Sequence, residues 1–143
     1  MNIKPILIIT GEPFSIFSEI LSKILKKNKF KKILLLITSS ELLKRQFKYF
    51  DHKLSSNEIS ENFSLNELRK DKLNIINVNF NFTNTFQKIT DISNSYNKKC
   101  FELALKLAKS KKISGVINGP ISKKHFLKRK YLGITEYMAK KTL

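Results

Sequence analysis

The residues of this chain that could do chemistry fall in three short runs. In the first, Val116 and Ile117 finish an apolar stretch, Asn118-Gly119-Pro120 breaks it, and Ile121-Ser122-Lys123 follows. Asn-Gly-Pro is a strong turn signal. Ser122 suits a helix N-cap, and Lys123 to Lys130 then reads as a short helix. The pattern predicts a buried strand stopping at a tight turn, with helix amides and the Lys123 ammonium just beyond it. In open α/β sheets such a junction holds anions. An ordinary connection carrying a solvated lysine fits the same residues, because short βα turns are common. The second run, Thr10-Gly11-Glu12-Pro13, ends another apolar stretch and puts a carboxyl where it can brace a loop. The third, Gly133-Ile134-Thr135-Glu136, sets a hydroxyl at the head of a helical segment, where Thr135 suits an N-cap.

Residues for other chemistries are scarce. His52 and His125 are the only histidines, stand far apart and sit among lysines, so surface positions and no metal site are expected. The glycines, at 11, 115, 119 and 133, never fall in a G-x-G-x-x-G frame, and neither a P-loop nor a hydrolase elbow occurs.

A sheet has to position these runs. Ile3 to Thr10 reads as a buried strand, with Pro5 near its start where a missing amide does least harm. Ile16, Phe17, Ile20, Leu21, Ile24 and Leu25 recur at helical spacing, with Ser15 or Ser18 as the cap and Lys26-Lys27 suiting the dipole. Ile33 to Thr38 is a second apolar strand, and Ser39 or Ser40 caps a helix through Phe50. A β-α-β-α order predicts an α/β fold with a parallel-type sheet flanked by helices. Asp51 to Asp71 is polar and predicts a surface excursion with one short helix near Leu65 to Lys70. Leu73 to Phe80 alternates between apolar residues and asparagines, so a half-exposed or edge strand is expected, then a loop from Asn81 to Asp91. Tyr96, Cys100, Leu103, Ala104, Leu107 and Ala108 form one helical stripe, which makes Cys100 a core residue rather than a nucleophile. Repeats and low-complexity linkers are absent, so residues 1–143 read as one unit.

Composition narrows the class. An apolar fraction of 41% with 11 Phe is globular rather than disordered. No apolar run is long enough to span a membrane, and the opening run from Met1 reads as strand rather than signal peptide. One cysteine excludes an internal disulfide, so a cytoplasmic location is expected. The net charge of +17 attracts polyanions. However, arginine appears only at 45, 69 and 129, and bidentate reading of bases or phosphates favours arginine. Non-specific polyanion attraction is therefore expected, with a small basic module binding RNA as the competing function.

Taken together, Thr10-Gly11-Glu12-Pro13 with Glu19, Asn118-Gly119-Pro120-Ile121-Ser122-Lys123, and Gly133-Ile134-Thr135-Glu136 resemble the amino-terminal part of the 4-hydroxythreonine-4-phosphate dehydrogenase (PdxA) family. That family opens with Thr-x-Gly-Glu/Asp-Pro-x-Gly-Ile-Gly-Pro-Glu and continues with Thr-Gly/Ala-Pro-Ile-x-Lys and Gly-His-Thr-Glu. The likeness follows element order along nearly the whole chain. It implies an isocitrate/isopropylmalate-dehydrogenase-like fold, here incomplete, and NAD-dependent oxidation of 4-phosphooxy-L-threonine followed by decarboxylation in pyridoxal 5′-phosphate biosynthesis. It further implies a divalent metal (Zn, Mg or Co), a homodimer, and metal and NAD residues in a carboxy-terminal portion that this chain lacks. Carried over residue by residue, the substrate contacts present are Thr135, Ile134 at the family's histidine position, and more weakly Lys123 toward the phosphate. Isoleucine cannot hydrogen-bond, so one polar contact is lost at Ile134. The family's Gly-Ile-Gly-Pro reads Ser15-Ile16-Phe17-Ser18, so a close-approach loop has gained side chains. With the metal and NAD residues missing, the chain alone is expected to be inactive, and a non-catalytic remnant is a third reading.

Overall fold

A computed structural model describes residues 3–27, 30–128 and 130–142. Met1 and Asn2 of the opening run and Arg129 of the expected basic helix lie outside the described residues. The elements run β1 (Ile6–Ile9), α1 (Phe17–Lys27), β2 (Leu34–Thr38), α2 (Ser40–Tyr49), β3 (Ser56–Ile59), β4 (Leu73–Asn77), α3 (Asp91–Lys109), β5 (Gly115–Asn118), α4 (Lys123–Phe126) and α5 (Ile134–Thr142), with a 3₁₀ turn at Leu65–Glu67. The sheet order is β3-β4-β2-β1-β5, and every neighbouring pair is parallel. This is the parallel α/β architecture that the β-α-β-α pattern predicts.

Strand periodicity divides the core in two. Leu7, Ile9, Leu35, Ile37 and Ile76 point to one face and meet Phe101, Ala104 and Leu107 of α3. Ile8, Leu34, Leu36 and Ile75 point to the other and meet Leu21, Leu43 and Phe47 of α1 and α2. Each fully buried Phe or Leu contributes about 1.5–3 kcal/mol, against roughly 1 kcal/mol for a typical cap. The caps set the helix starts. Ser15 Oγ accepts from Phe17 N at 3.3 Å, Ser39 Oγ from Leu42 N at 3.3 Å, and Thr90 Oγ1 from Ser93 N at 3.3 Å. Ser15 and Ser39, rather than Ser18 and Ser40, therefore hold their helix ends.

Three expectations need correction. The excursion from Asp51 to Asp71 contains a strand, β3, which its polar sequence Ser56-Asn-Glu-Ile59 conceals. It is an edge strand that gains order from the ladder with β4 rather than from apolar burial. Second, β4 is an interior strand, buried from Leu73 to Ile76. Its Asn74 is 0% exposed because its amide is satisfied. It donates to Leu34 O at 3.1 Å and Arg69 O at 2.9 Å, and accepts from Arg69 N at 2.8 Å and Asn57 Nδ2 at 2.9 Å. Third, β5 is an edge strand and largely exposed, with Ile117 52% accessible. Its outer edge has no strand partner among the described residues. Beside it, Ile6, Ile8, Ile20, Ile24 and Ile117 line an apolar groove of about 320 Å³.

Candidate functional site

The carboxyl ends of β1, β2 and β5 bring two of the three runs together. Gly119 N donates to Ile9 O at 2.7 Å, and Glu12 N donates to Pro120 O at 2.7 Å. The loops after β1 and β5 thus lie backbone against backbone. A Cβ on Gly119 would stand 2.2 Å from Thr10 O, and one on Gly11 would stand 2.3 Å from Pro120 O. Gly11 also has φ +79°, a left-handed conformation that side chains resist. Both glycines are therefore required by the same close approach. Phe17, at a position where the family pattern has glycine, brings its Cδ2 to 3.0 Å from that Gly119 Cβ position. Its ring takes up space beside the turn.

Beneath the loops lies a buried polar network that sequence reasoning did not find. Thr10 Oγ1 donates to Thr38 Oγ1 at 3.1 Å, and Ser39 N donates to Tyr96 OH at 2.8 Å. Asn97 Nδ2 donates to Glu12 Oε2 at 3.0 Å, so α3 holds the first loop through its carboxyl. Gln46 Nε2 adds a bond to Pro13 O at 2.8 Å. The bracing role expected of Glu12 is thus seen, with Asn97 as its partner. The signal for Asn97 was its spacing, since it sits three and four residues before Cys100 and Phe101 on the buried face of α3.

The electrostatics are set by burial. Glu12 is only 5% exposed, and desolvation raises its pKa above the ordinary carboxylate range, against the Asn97 hydrogen bond, the nearby Ser93 hydroxyl and the charge of His125. The Ser93 hydroxyl gives its proton to Thr90 O at 2.7 Å, and Glu12 Oε1 has no hydrogen-bond partner among the described residues. Asn97 Oδ1 and Ser18 Oγ are unpartnered in the same way. Orphan buried polar atoms are rare and collect where function or strain is stored. Burial likewise pushes the Tyr96 hydroxyl up strongly and the Cys100 thiol up to about 12, so both stay neutral.

The third run is carried nearby by aromatic packing. Phe101 of α3 stands 5.2 Å from Phe126 and 6.0 Å from Tyr137, and Phe126 stands 5.4 Å from Tyr137. This triangle fastens α4 and α5 to α3. Lys123 opens α4 and is exposed, directly after the Pro120 turn. Ser122 caps that helix by accepting from His125 N at 3.3 Å, but the helix ends at Phe126, shorter than the basic run suggested. Thr135 lies exposed in the first turn of α5 and its hydroxyl makes no hydrogen bond among the described residues. Glu136 ties that end instead, accepting from Leu132 N at 2.7 Å, a bond that with Lys140 lowers its pKa. Ile134 is half-buried against the α3-side core. No hydrogen bond joins Lys123 to Thr135 among the described residues. His125 is exposed, whereas His52 departs from the expected surface position. It is partly buried, with Nδ1 2.9 Å from Ser22 Oγ and its ring stacked on Phe47 at 5.0 Å. Among the described residues no three His, Cys, Asp or Glu side chains gather into a metal site.

The family model described as pyridoxal phosphate biosynthetic protein PdxA matches residues 29–143. The chain belongs to the PdxA family. Solved structures agree on the fold. A 4-hydroxythreonine-4-phosphate dehydrogenase from Burkholderia phymatum is 20% identical with a TM-score of 0.79, covering 96% of this chain and 43% of that one. One from Klebsiella pneumoniae is 18% identical with a TM-score of 0.77, covering 96% of this chain and 44% of that one. This PdxA chain therefore spans less than half the length of these structures. No curated protein matches it in sequence. The motif resemblance and the PdxA family match rest on overlapping residues, since both later runs lie inside 29–143.

Proposed function

We propose that the chain is the amino-terminal, substrate-facing portion of an NAD-dependent 4-hydroxythreonine-4-phosphate dehydrogenase. Its reaction would be oxidation of the 4-phosphooxy-L-threonine hydroxyl, followed by loss of carbon dioxide from the keto acid. The observation that carries this reading is the pairing of the Gly11 and Gly119 turns at the carboxyl edge of the sheet in a PdxA-family chain. In this reading Lys123 supplies a positive charge for the phosphate, and Thr135 supplies a hydroxyl that can donate and accept. Ile134 supplies only apolar contact. Glu12, held by Asn97, keeps the first turn in place.

The described residues do not fit a metal or NAD. They hold no trio of ligating side chains and no glycine-rich dinucleotide loop. Both groups, and a homodimer closing the site between subunits, belong to the portion of the family fold not represented here. The open edge of β5 and the apolar groove beside it support that division, because an unpaired interior-type edge invites a further strand. No helix among the described residues is long and apolar enough to cross a membrane, and a cytoplasmic site of action accords with a small phosphorylated substrate. The test is to titrate 4-phosphooxy-L-threonine into the labelled chain and follow backbone amides. Saturable shifts should fall in residues 10–13, 118–123 and 134–136. Shifts scattered over the lysine-rich surface, and equal for inorganic phosphate, would defeat the proposal.

A further inference from the structure

We infer that the chain carries a second ligand site, for a small organic anion with a flat apolar body, at the opposite edge of the sheet from the paired turns. A cavity of about 490 Å³ opens between the start of β2, the start of β4 and the connection from α2 to β3. That volume suits a small ligand. Its apolar floor is formed by Leu25, Phe30 and Leu54, with Leu34 and Leu73 nearly covered behind them and Phe47 fully buried beneath. His52 extends this apolar wall, stacked on Phe47 and held by Ser22. Burial, and then the Lys26 charge, lower its pKa, which keeps the imidazole neutral at neutral pH.

The rim is cationic. Lys32, Lys53, Lys70 and Lys72 line the opening, with Asp71 the acid among them. Among the described residues, none of these lysines stands within 4.0 Å of a carboxylate. Unpaired ammonium groups around an apolar floor select two properties at once. The rim takes a phosphate or carboxylate head, and the floor takes an aromatic or alicyclic body. Inorganic phosphate satisfies only the first, and a neutral apolar molecule only the second. The inference does not depend on the dehydrogenase reading, because the cavity shares no residue with the paired turns.

The probe is 1-naphthyl phosphate, titrated into the labelled full chain at fixed ionic strength. Amides of residues 52–55 and 70–73 should shift saturably, and inorganic phosphate at equal concentration should move them far less. Lys53→Glu combined with Lys72→Glu should weaken binding about tenfold or more, the size of a loss of roughly 1.4 kcal/mol. Asp71→Asn should strengthen it. Lys99→Glu combined with Lys109→Glu removes the same charge from α3 and should leave affinity within about twofold. Equal losses in the two double variants would reduce the effect to overall charge and overturn the site. So would shifts that fail to saturate, that map away from these residues, or that inorganic phosphate reproduces.

Discussion

Gly119 and Gly11 carry a burden that composition alone does not reveal. Each faces the backbone of the opposite loop at a distance no Cβ tolerates. Gly119→Ala should therefore force the two loops apart and cost about 1–3 kcal/mol, as overpacking does. Gly115 and Gly133 have nothing within 4 Å of a Cβ, so alanine at either should change stability by no more than about 1 kcal/mol. Urea midpoints of the three variants check the contrast. Glu12 offers a second test, through pH. Its folded pKa is raised, so between the ordinary carboxylate range and that higher value the folded state binds more protons than the unfolded one. Stability must then fall as pH rises through that window. Glu12→Gln removes the term, so its advantage over the parent should grow from about pH 4 to about pH 7. A gap that shrinks over that range would mean the ionised carboxyl finds more support in the fold than burial denies it.

Helix α3 is the element on which the site depends. It supplies Asn97 to Glu12, Tyr96 to Ser39, and Phe101 to the aromatic triangle that fastens α4 and α5. Cys100 lies on its buried face at 1% exposure with the thiol pushed up to about 12. A thiol-selective reagent should therefore modify Cys100 only as fast as α3 opens, with the rate rising steeply near the urea midpoint. Rapid labelling of the folded chain would show α3 undocked. Elements such as α3 were legible because their apolar spacing matches the helical period. The strand β3 was not, because Ser56-Asn-Glu-Ile59 has no apolar face and owes its order to a neighbour in the ladder. The interior place of β4 was hidden by Asn74, which reads as solvent-facing until its hydrogen bonds to Leu34, Arg69 and Asn57 are seen. The opposite error befell β5, whose apolar residues suggest burial although it lies at the edge of the sheet among the described residues. At the site, the paired turns were visible as motifs. Their mutual contact was not, since glycine signals permission for close approach without naming the partner.

Across the molecule two features point the same way. The net charge of +17 comes mainly from lysines, which lie on every helix and in the loops but on none of the strands, and the fold gives no separate support to an RNA-binding module. The exposed apolar side lies around β5 and α1, where Ile20 and Ile117 are 44% and 52% accessible. The chain spans under half the length of these solved structures, and within it the paired turns are formed. If the proposed function holds, substrate binding should be detectable at these turns. Thr135 is where this is most sharply exposed to test, because its hydroxyl serves no hydrogen bond in the described structure. Thr135→Val keeps the β-branched shape and deletes that hydroxyl, whereas Ile134→Ala deletes apolar contact only. Affinity for 4-phosphooxy-L-threonine and the urea midpoint should be measured together for both variants. Thr135→Val should weaken binding by roughly tenfold to a hundredfold, the loss of a hydrogen bond to a charged group, with its midpoint unchanged. Unchanged affinity with a lowered midpoint, or a greater loss from Ile134→Ala, would contradict the assignment of this edge to substrate.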